Sequence, residues 1–177
     1  AVIPRAAQNI SFFAEHALTL GETIESPQVS NRVRFDPSGV AALITPWNAP
    51  FMLITWNLAP ALAAGNSVMH KPAEWSPLSA ALLAELTLDA GFPPGAYNLV
   101  QGIGEEVGAA LVADPRVRRI TFTGSPATAR HIGRAAAENI VPFTAELGGK
   151  GPLIVFADSD LDAAAHRAAW QFDDSGQ

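Results

Sequence analysis

From Val40 onward the chain alternates short apolar runs with stretches of helical length, and this alternation restricts the fold more than any other feature. Residues 40–45, 67–71, 97–100, 119–123, 142–146 and 153–156 read as strands. Residues 49–64 and 76–90 read as helices, closed by Gly65 and Gly91, and a further helix starts near Glu105. Ser76 and Ser125 stand where helix caps are expected, with Pro77 and Pro126 at the first helical positions. Asp158 or Ser159 opens a last helix, with Asp160 and Asp162 in the first turn, where the helix dipole favours acids. Short strands separated by helices of this length indicate an α/β fold built on a mostly parallel sheet. Ligands of such sheets bind at the carboxyl ends of the strands, so the residues after each strand are the candidates for chemistry.

The front of the chain follows a different pattern. Ile10, Phe13, Ala14, Ala17 and Leu18 recur at helical spacing, predicting an amphipathic helix over 5–20 that Gly21 closes. Residues 29–35 read as an extended, partly exposed arm, and 36–39 as a turn. There is no internal repeat and no low-complexity segment.

Composition narrows the function. With 49% apolar and 16% charged residues in 177, the chain has the material for one folded domain. The longest apolar stretch, 51–64, is interrupted by Asn57 and Pro60 and is too short to span a bilayer, so no membrane association is expected. The first residues do not read as a signal peptide, which points to a cytoplasmic location. A net charge of -6 argues against nucleic acid as a partner. Zero cysteines leave no thiolate ligand or cysteine nucleophile within these residues, and the four histidines share no ligand-like spacing, so no metal site is expected.

The strand ends carry the distinctive residues: TPWNAP (45–50), HKPAEW (70–75), QGIGEEVG (101–108), FTGSP (122–126) and ELGGKG (146–151). In QGIGEEVG, Gly102 and Gly104 begin like a dinucleotide fingerprint. Gly108 falls one place late, and Glu105 and Glu106 would repel a pyrophosphate; a tight turn with acids serving the helix dipole is the other reading. FTGSP suits a phosphate better, because Gly124 allows close approach and Ser125 offers a hydroxyl at a helix N-terminus; a plain cap is the alternative. In HKPAEW, Lys71 and Glu74 form either a surface ion pair or a pair of ribose ligands. Asn48, stiffened by Pro46 and Pro50, is an oxyanion donor or a helix cap. Glu146, beside flexible glycines, is a general base or a turn residue.

Taken together and in this order, PWN, KPAE, FTGS and ELGGK resemble the NAD(P)-dependent aldehyde dehydrogenases, over nearly the whole chain. The resemblance implies a Rossmann-like parallel sheet flanked by helices, the partial coenzyme-binding domain of a longer protein. On that pattern residues 1–22 are a helix of the domain, 23–38 an arm that joins subunits into a homodimer or homotetramer, and 39–177 the NAD-binding domain. It implies that Asn48 donates to the oxyanion and Glu146 is the general base. Lys71 and Glu74 would bind the adenosine ribose, Ser125 the pyrophosphate with Gly124 giving room, and Gly104 would pack near the adenine. Trp47 would line the nicotinamide side of the cleft, Thr45 and Pro46 before it would also bind the cofactor, and the Leu147 backbone would contact the carboxamide. Gly176-Gln177 matches the first half of a family G-Q-x-C motif, so the catalytic cysteine is expected two positions beyond Gln177. The missing initiator Met likewise leads to the expectation that residues precede Ala1.

The expected reaction is oxidation of an aldehyde to a carboxylic acid with NAD as hydride acceptor. Residues 43–66 look like those of enzymes acting on semialdehydes from aromatic breakdown, such as the hydroxymuconic semialdehydes, and are also similar to broad-range and betaine aldehyde enzymes. NADP is disfavoured: a 2′-phosphate about 4 Å from the Glu74 carboxylate meets a repulsion of about 4 kcal/mol at an effective dielectric of about 20. Thr128 and Ala129 depart from the aliphatic residue and glycine common in the family, which bears on the shape of the adenine pocket. The competing readings are a non-catalytic NAD-binding module and an inert fragment.

Overall fold

The computed structural model describes residues 2–149 and 151–175. Helix α1 (Val2–Ala17) precedes a two-stranded antiparallel hairpin, β1 (Glu22–Glu25) and β2 (Ser30–Val33). Then come β3 (Val40–Ile44), α2 (Pro50–Ala63), β4 (Ser67–Lys71), α3 (Leu78–Asp89) and β5 (Tyr97–Leu99). A π-helical turn (Gly104–Gly108) runs into the short α4 (Ala109–Ala113). It is followed by β6 (Val117–Gly124), α5 (Pro126–Glu138), β7 (Phe143–Leu147) and α6 (Leu161–Ser175).

The five strands from β3 to β7 form one parallel sheet in the order β5-β4-β3-β6-β7. This is the α/β arrangement expected from the alternation. The chain builds outward from β3 to β5, then returns to the other side of β3 with β6. The order therefore reverses between β3 and β6, and in sheets of this kind ligands bind at the carboxyl ends beside such a reversal.

Both faces of the sheet are covered, which explains why its strands read as apolar runs. Ala41, Leu43, Val68 and Tyr97 meet Ile54 and Leu58 of α2 and Ala80 and Leu83 of α3 on one face. On the other, Ala42, Ile120 and Phe122 meet Val112 of α4 and Ala129, Ile132 and Ala136 of α5. Helix α1 lies against α2, where buried Asn9 donates from Nδ2 to Thr55 Oγ1 at 3.3 Å.

Four local expectations are corrected. Residues 153–156 are not a strand: they have no regular secondary structure and are exposed, and among the described residues β7 is paired on one side only, by β6. An apolar run becomes a strand only when a neighbour takes up its N–H and C=O groups. Ser76 does not cap α3. The helix begins at Leu78, and the Ser76 and Ser79 hydroxyls are buried with no partner among the described residues. The last helix is capped by Asp160 rather than by Asp158 or Ser159, its Oδ1 accepting the Asp162 and Ala163 N–H groups at 3.0 Å. Helix α1 starts earlier than expected and ends at Ala17, short of Gly21.

Candidate functional site at the carboxyl ends of the strands

Because all five strands run the same way, their distinctive termini collect at one edge of the sheet. Ile44 sits beside Phe122, Phe122 beside Ala145, and Thr123 beside Glu146. Asn48 and Ser125, just past β3 and β6, and Glu146, near the end of β7, are far apart in sequence but thus stand at the same edge.

Lys71 ends β4 and is only 3% exposed. Its side chain lies on the face of the π-helical turn, with Cδ 3.9 Å from where a Cβ on Gly108 would stand. Its ammonium donates to the Pro72 carbonyl at 3.0 Å and to Glu74 Oε2 at 3.1 Å. An ammonium has three protons, so one donor is left for a ligand. Glu74 is half-exposed, and its own backbone N–H, then the Lys71 side chain, hold its carboxyl below the usual carboxylate range. The pair is therefore no mere surface contact: one member is buried and the other faces solvent beside it.

The glycines at this edge differ in purpose. Gly102 has a φ of +149°, and a Cβ there would fall 2.3 Å from Val107 Cγ2, so the backbone itself demands glycine. Gly104 opens the π-helical turn, and a Cβ there would meet nothing within 4 Å, leaving room for a ligand. At Gly124 a Cβ would approach Phe122 Cζ to 2.5 Å, so packing of that ring excludes a side chain.

Ser125 caps α5, its Oγ accepting the Thr128 N–H at 3.1 Å and lying 3.0 Å from Thr128 Oγ1. It is exposed, as a phosphate ligand would need to be. Asn48 does not cap α2: the residue before that helix is Ala49, Pro50 begins it, and no side chain caps it. Half-buried Asn48 makes no side-chain hydrogen bond among the described residues, so its amide is available. Trp47 is 41% exposed and packs at a tilt on Trp75, ring centroids 6.3 Å apart. Half-buried Pro46 joins it to Thr45, whose side chain turns inward and is 3% exposed.

Glu146 and Leu147 end β7, both exposed, with Leu147 beside Gly124. Glu146 makes no hydrogen bond or ion pair among the described residues. The glycines after it have open space around them. Lys150 of the same motif and Gly176-Gln177 lie outside the described residues. No cluster of three or more His, Asp or Glu residues able to hold a metal occurs among the described residues.

The residue that sequence reasoning missed is His70. It is fully buried between Thr45 and Tyr97, with Thr45 Oγ1 2.8 Å from Nε2 and the Tyr97 hydroxyl 2.7 Å from Nδ1. Burial, and after it the neighbouring Lys71 charge, lower its pKa to about 3, and burial pushes the Tyr97 phenol upward. The one available signal was position: His70 shares strand parity with Val68 in a strand covered on both faces.

Comparison with known proteins agrees with this picture. The succinate-semialdehyde dehydrogenase of Arabidopsis thaliana mitochondria is 46% identical over 175 residues, 97% of this chain and 33% of that protein. The 2-hydroxymuconic semialdehyde dehydrogenase of Pseudomonas sp. (strain CF600) is 46% identical over 169 residues, 92% of this chain and 35% of that protein. The crystal structure of PnpE in complex with nicotinamide adenine dinucleotide superposes with a TM-score of 0.93 at 41% identity, over 99% of this chain and 36% of that one. The chain thus spans about a third of the length of the relatives it matches. The profile of the aldehyde dehydrogenase family matches residues 1–177 from end to end, and this chain belongs to that family.

Proposed function

We propose that this chain is the coenzyme-binding part of an enzyme that oxidises an aldehyde to a carboxylic acid with NAD. The observation that carries the reading is the Lys71–Glu74 pair: a buried ammonium with a donor to spare, beside a charged carboxylate facing solvent, at the edge where Gly104 leaves open space. These residues fit an adenosine ribose, whose hydroxyls both accept and donate. Thr45, Pro46, Trp47, Gly124, Ser125 and Leu147 lie on the adjoining strand ends, where the rest of a dinucleotide would extend. PnpE, so similar in fold, is a complex with NAD, which supports the same cofactor here. NAD, when bound, takes up the hydride leaving the substrate carbon.

The chain's own residues would do the rest. Asn48 would donate its free amide N–H to the oxygen that gains charge as a thiolate attacks the carbonyl. That thiolate would come from a cysteine beyond these 177 residues. Glu146 would accept the proton of the attacking thiol or of the water that releases the acid. The names of the relatives favour a semialdehyde as substrate. The segment 23–38, which holds most of the β1–β2 hairpin, would serve as the subunit-joining arm of a homodimer or homotetramer, and the cytoplasm would be its location. Among the described residues no helix is long and apolar enough to cross a membrane.

In the whole protein, Asn48→Ala should lower kcat by about 10²–10³-fold while the NAD dissociation constant stays nearly unchanged. Glu74→Ala should narrow the NAD/NADP preference by about tenfold or more. The 177 residues alone should turn over no aldehyde. NAD binding by the whole protein with no oxidation of any aldehyde would instead establish a non-catalytic module; an unchanged cofactor ratio in Glu74→Ala would remove Glu74 from the site.

A further inference from the structure

A file of three hydrogen-bonded side chains crosses the sheet just beneath the candidate site. Tyr97 on β5 meets His70 on β4, and His70 meets Thr45 immediately after β3. All three are buried, at 8%, 0% and 3% exposure, and the His70 and Tyr97 rings lie stacked with centroids 5.9 Å apart. A neutral imidazole has one donor and one acceptor nitrogen, and here each has a partner. Burial keeps the ring neutral, so the file holds no buried charge.

This polar file lies in the apolar layer formed by Leu43, Ile54, Val68, Ala80 and Leu83, where a leucine would satisfy packing alone. A fully satisfied buried network adds something packing does not, a single defined geometry. What it fixes is Thr45. The Thr45 hydroxyl is tied to His70, and its N–H donates to the Lys71 carbonyl at 3.2 Å, carrying the β3–β4 pairing one residue past the strand. Pro46 then restricts the next backbone torsion. Trp47 and Asn48 follow from that anchored start. Asn48 has no side-chain partner of its own among the described residues, so its direction depends on the backbone that carries it. The Lys71 side chain points to the other face of the sheet, beside Gly108, away from the file.

We infer that His70, braced by Tyr97, is a positioning residue that holds Thr45 and through it aims the Asn48 amide. The inference rests on the function proposed above. It predicts a split: loss of the file lowers turnover, while the Lys71–Glu74 side of the site keeps its hold on coenzyme.

The test uses the whole protein and two readouts. His70→Leu should lower kcat about tenfold, with the NAD dissociation constant rising by clearly less, because Lys71 and Glu74 keep their hold while Thr45 and Trp47 loosen. His70→Gln, whose amide also carries a donor and an acceptor, should recover at least about a third of the lost turnover. Tyr97→Phe keeps the ring and drops one hydroxyl, and it should give a loss of about threefold if His70→Leu does not fold. The second readout is acrylamide quenching of Trp47 in a protein with Trp56, Trp75 and Trp170 replaced by Phe. In that background His70→Leu or Tyr97→Phe should make Trp47 about twofold more quenchable, as a loosened loop would. Unchanged kcat, NAD binding that weakens in step with kcat, or unchanged quenching would each overturn the inference. If the wild-type protein oxidises no aldehyde, the proposed function fails, and the quenching still decides whether His70 holds the loop.

Discussion

His70 also has a consequence for stability. Its pKa falls from 6.5 to about 3 on folding, so the unfolded chain binds the proton more tightly than the folded one. Its contribution is complete above about pH 6.5 and is lost as the pH falls toward about 3. The denaturation midpoint of the whole protein should therefore drop with acid across that window, and His70→Gln should flatten the slope. An equal slope in both would show that other groups dominate. Lys71 teaches a related lesson. Its place before Pro72 and Glu74 was legible in the sequence, but its burial beside Gly108 was not, because Lys71 ends β4 while Gly108 lies in the turn after β5.

At the scale of the element, Ser125 is both cap and candidate ligand, and the two roles can be separated. Ser125→Ala should cost about 1 kcal/mol through loss of the α5 cap. Ser125→Asp also caps well, so stability should hold. Its charge would repel a pyrophosphate and should raise the KM for NAD about tenfold. Calorimetry and coenzyme kinetics on the same two variants check this; unchanged KM in Ser125→Asp would confine Ser125 to capping. Helix positions were readable because Pro126, Gly91 and the spacing of apolar residues act within a few residues of themselves. Residues 153–156 show where such reading stops: a strand's existence depends on a partner that local sequence does not name.

At the scale of the molecule, two apolar layers sandwich the sheet, and Ile120, fully buried, belongs to the one facing α5. Ile120→Ala should cost about 2–5 kcal/mol, read as a lower denaturation midpoint, because a parallel sheet covered on both faces cannot close the gap easily. The strand order brings Asn48 and Glu146 to the same edge although almost a hundred positions separate them. The hairpin β1–β2 projects its own antiparallel pairing apart from that sheet. Deleting 23–38 from the whole protein should reduce its mass by light scattering to that of a smaller assembly; an unchanged mass would leave the arm without a role in joining subunits.

The parallel α/β class, the helix ends marked by Gly65, Gly91 and Pro126, and the motif residues at the strand ends were readable from the chain alone. All of these follow from periodicity, caps and breakers that act over a few residues. The strand order, the Thr45–His70–Tyr97 file, the burial of Lys71 and the freedom of the Asn48 amide emerge only in the folded chain. Apolar patterning says that a face is buried but not against what. The choice of neighbour is made by packing among segments that meet only once the whole sheet is assembled.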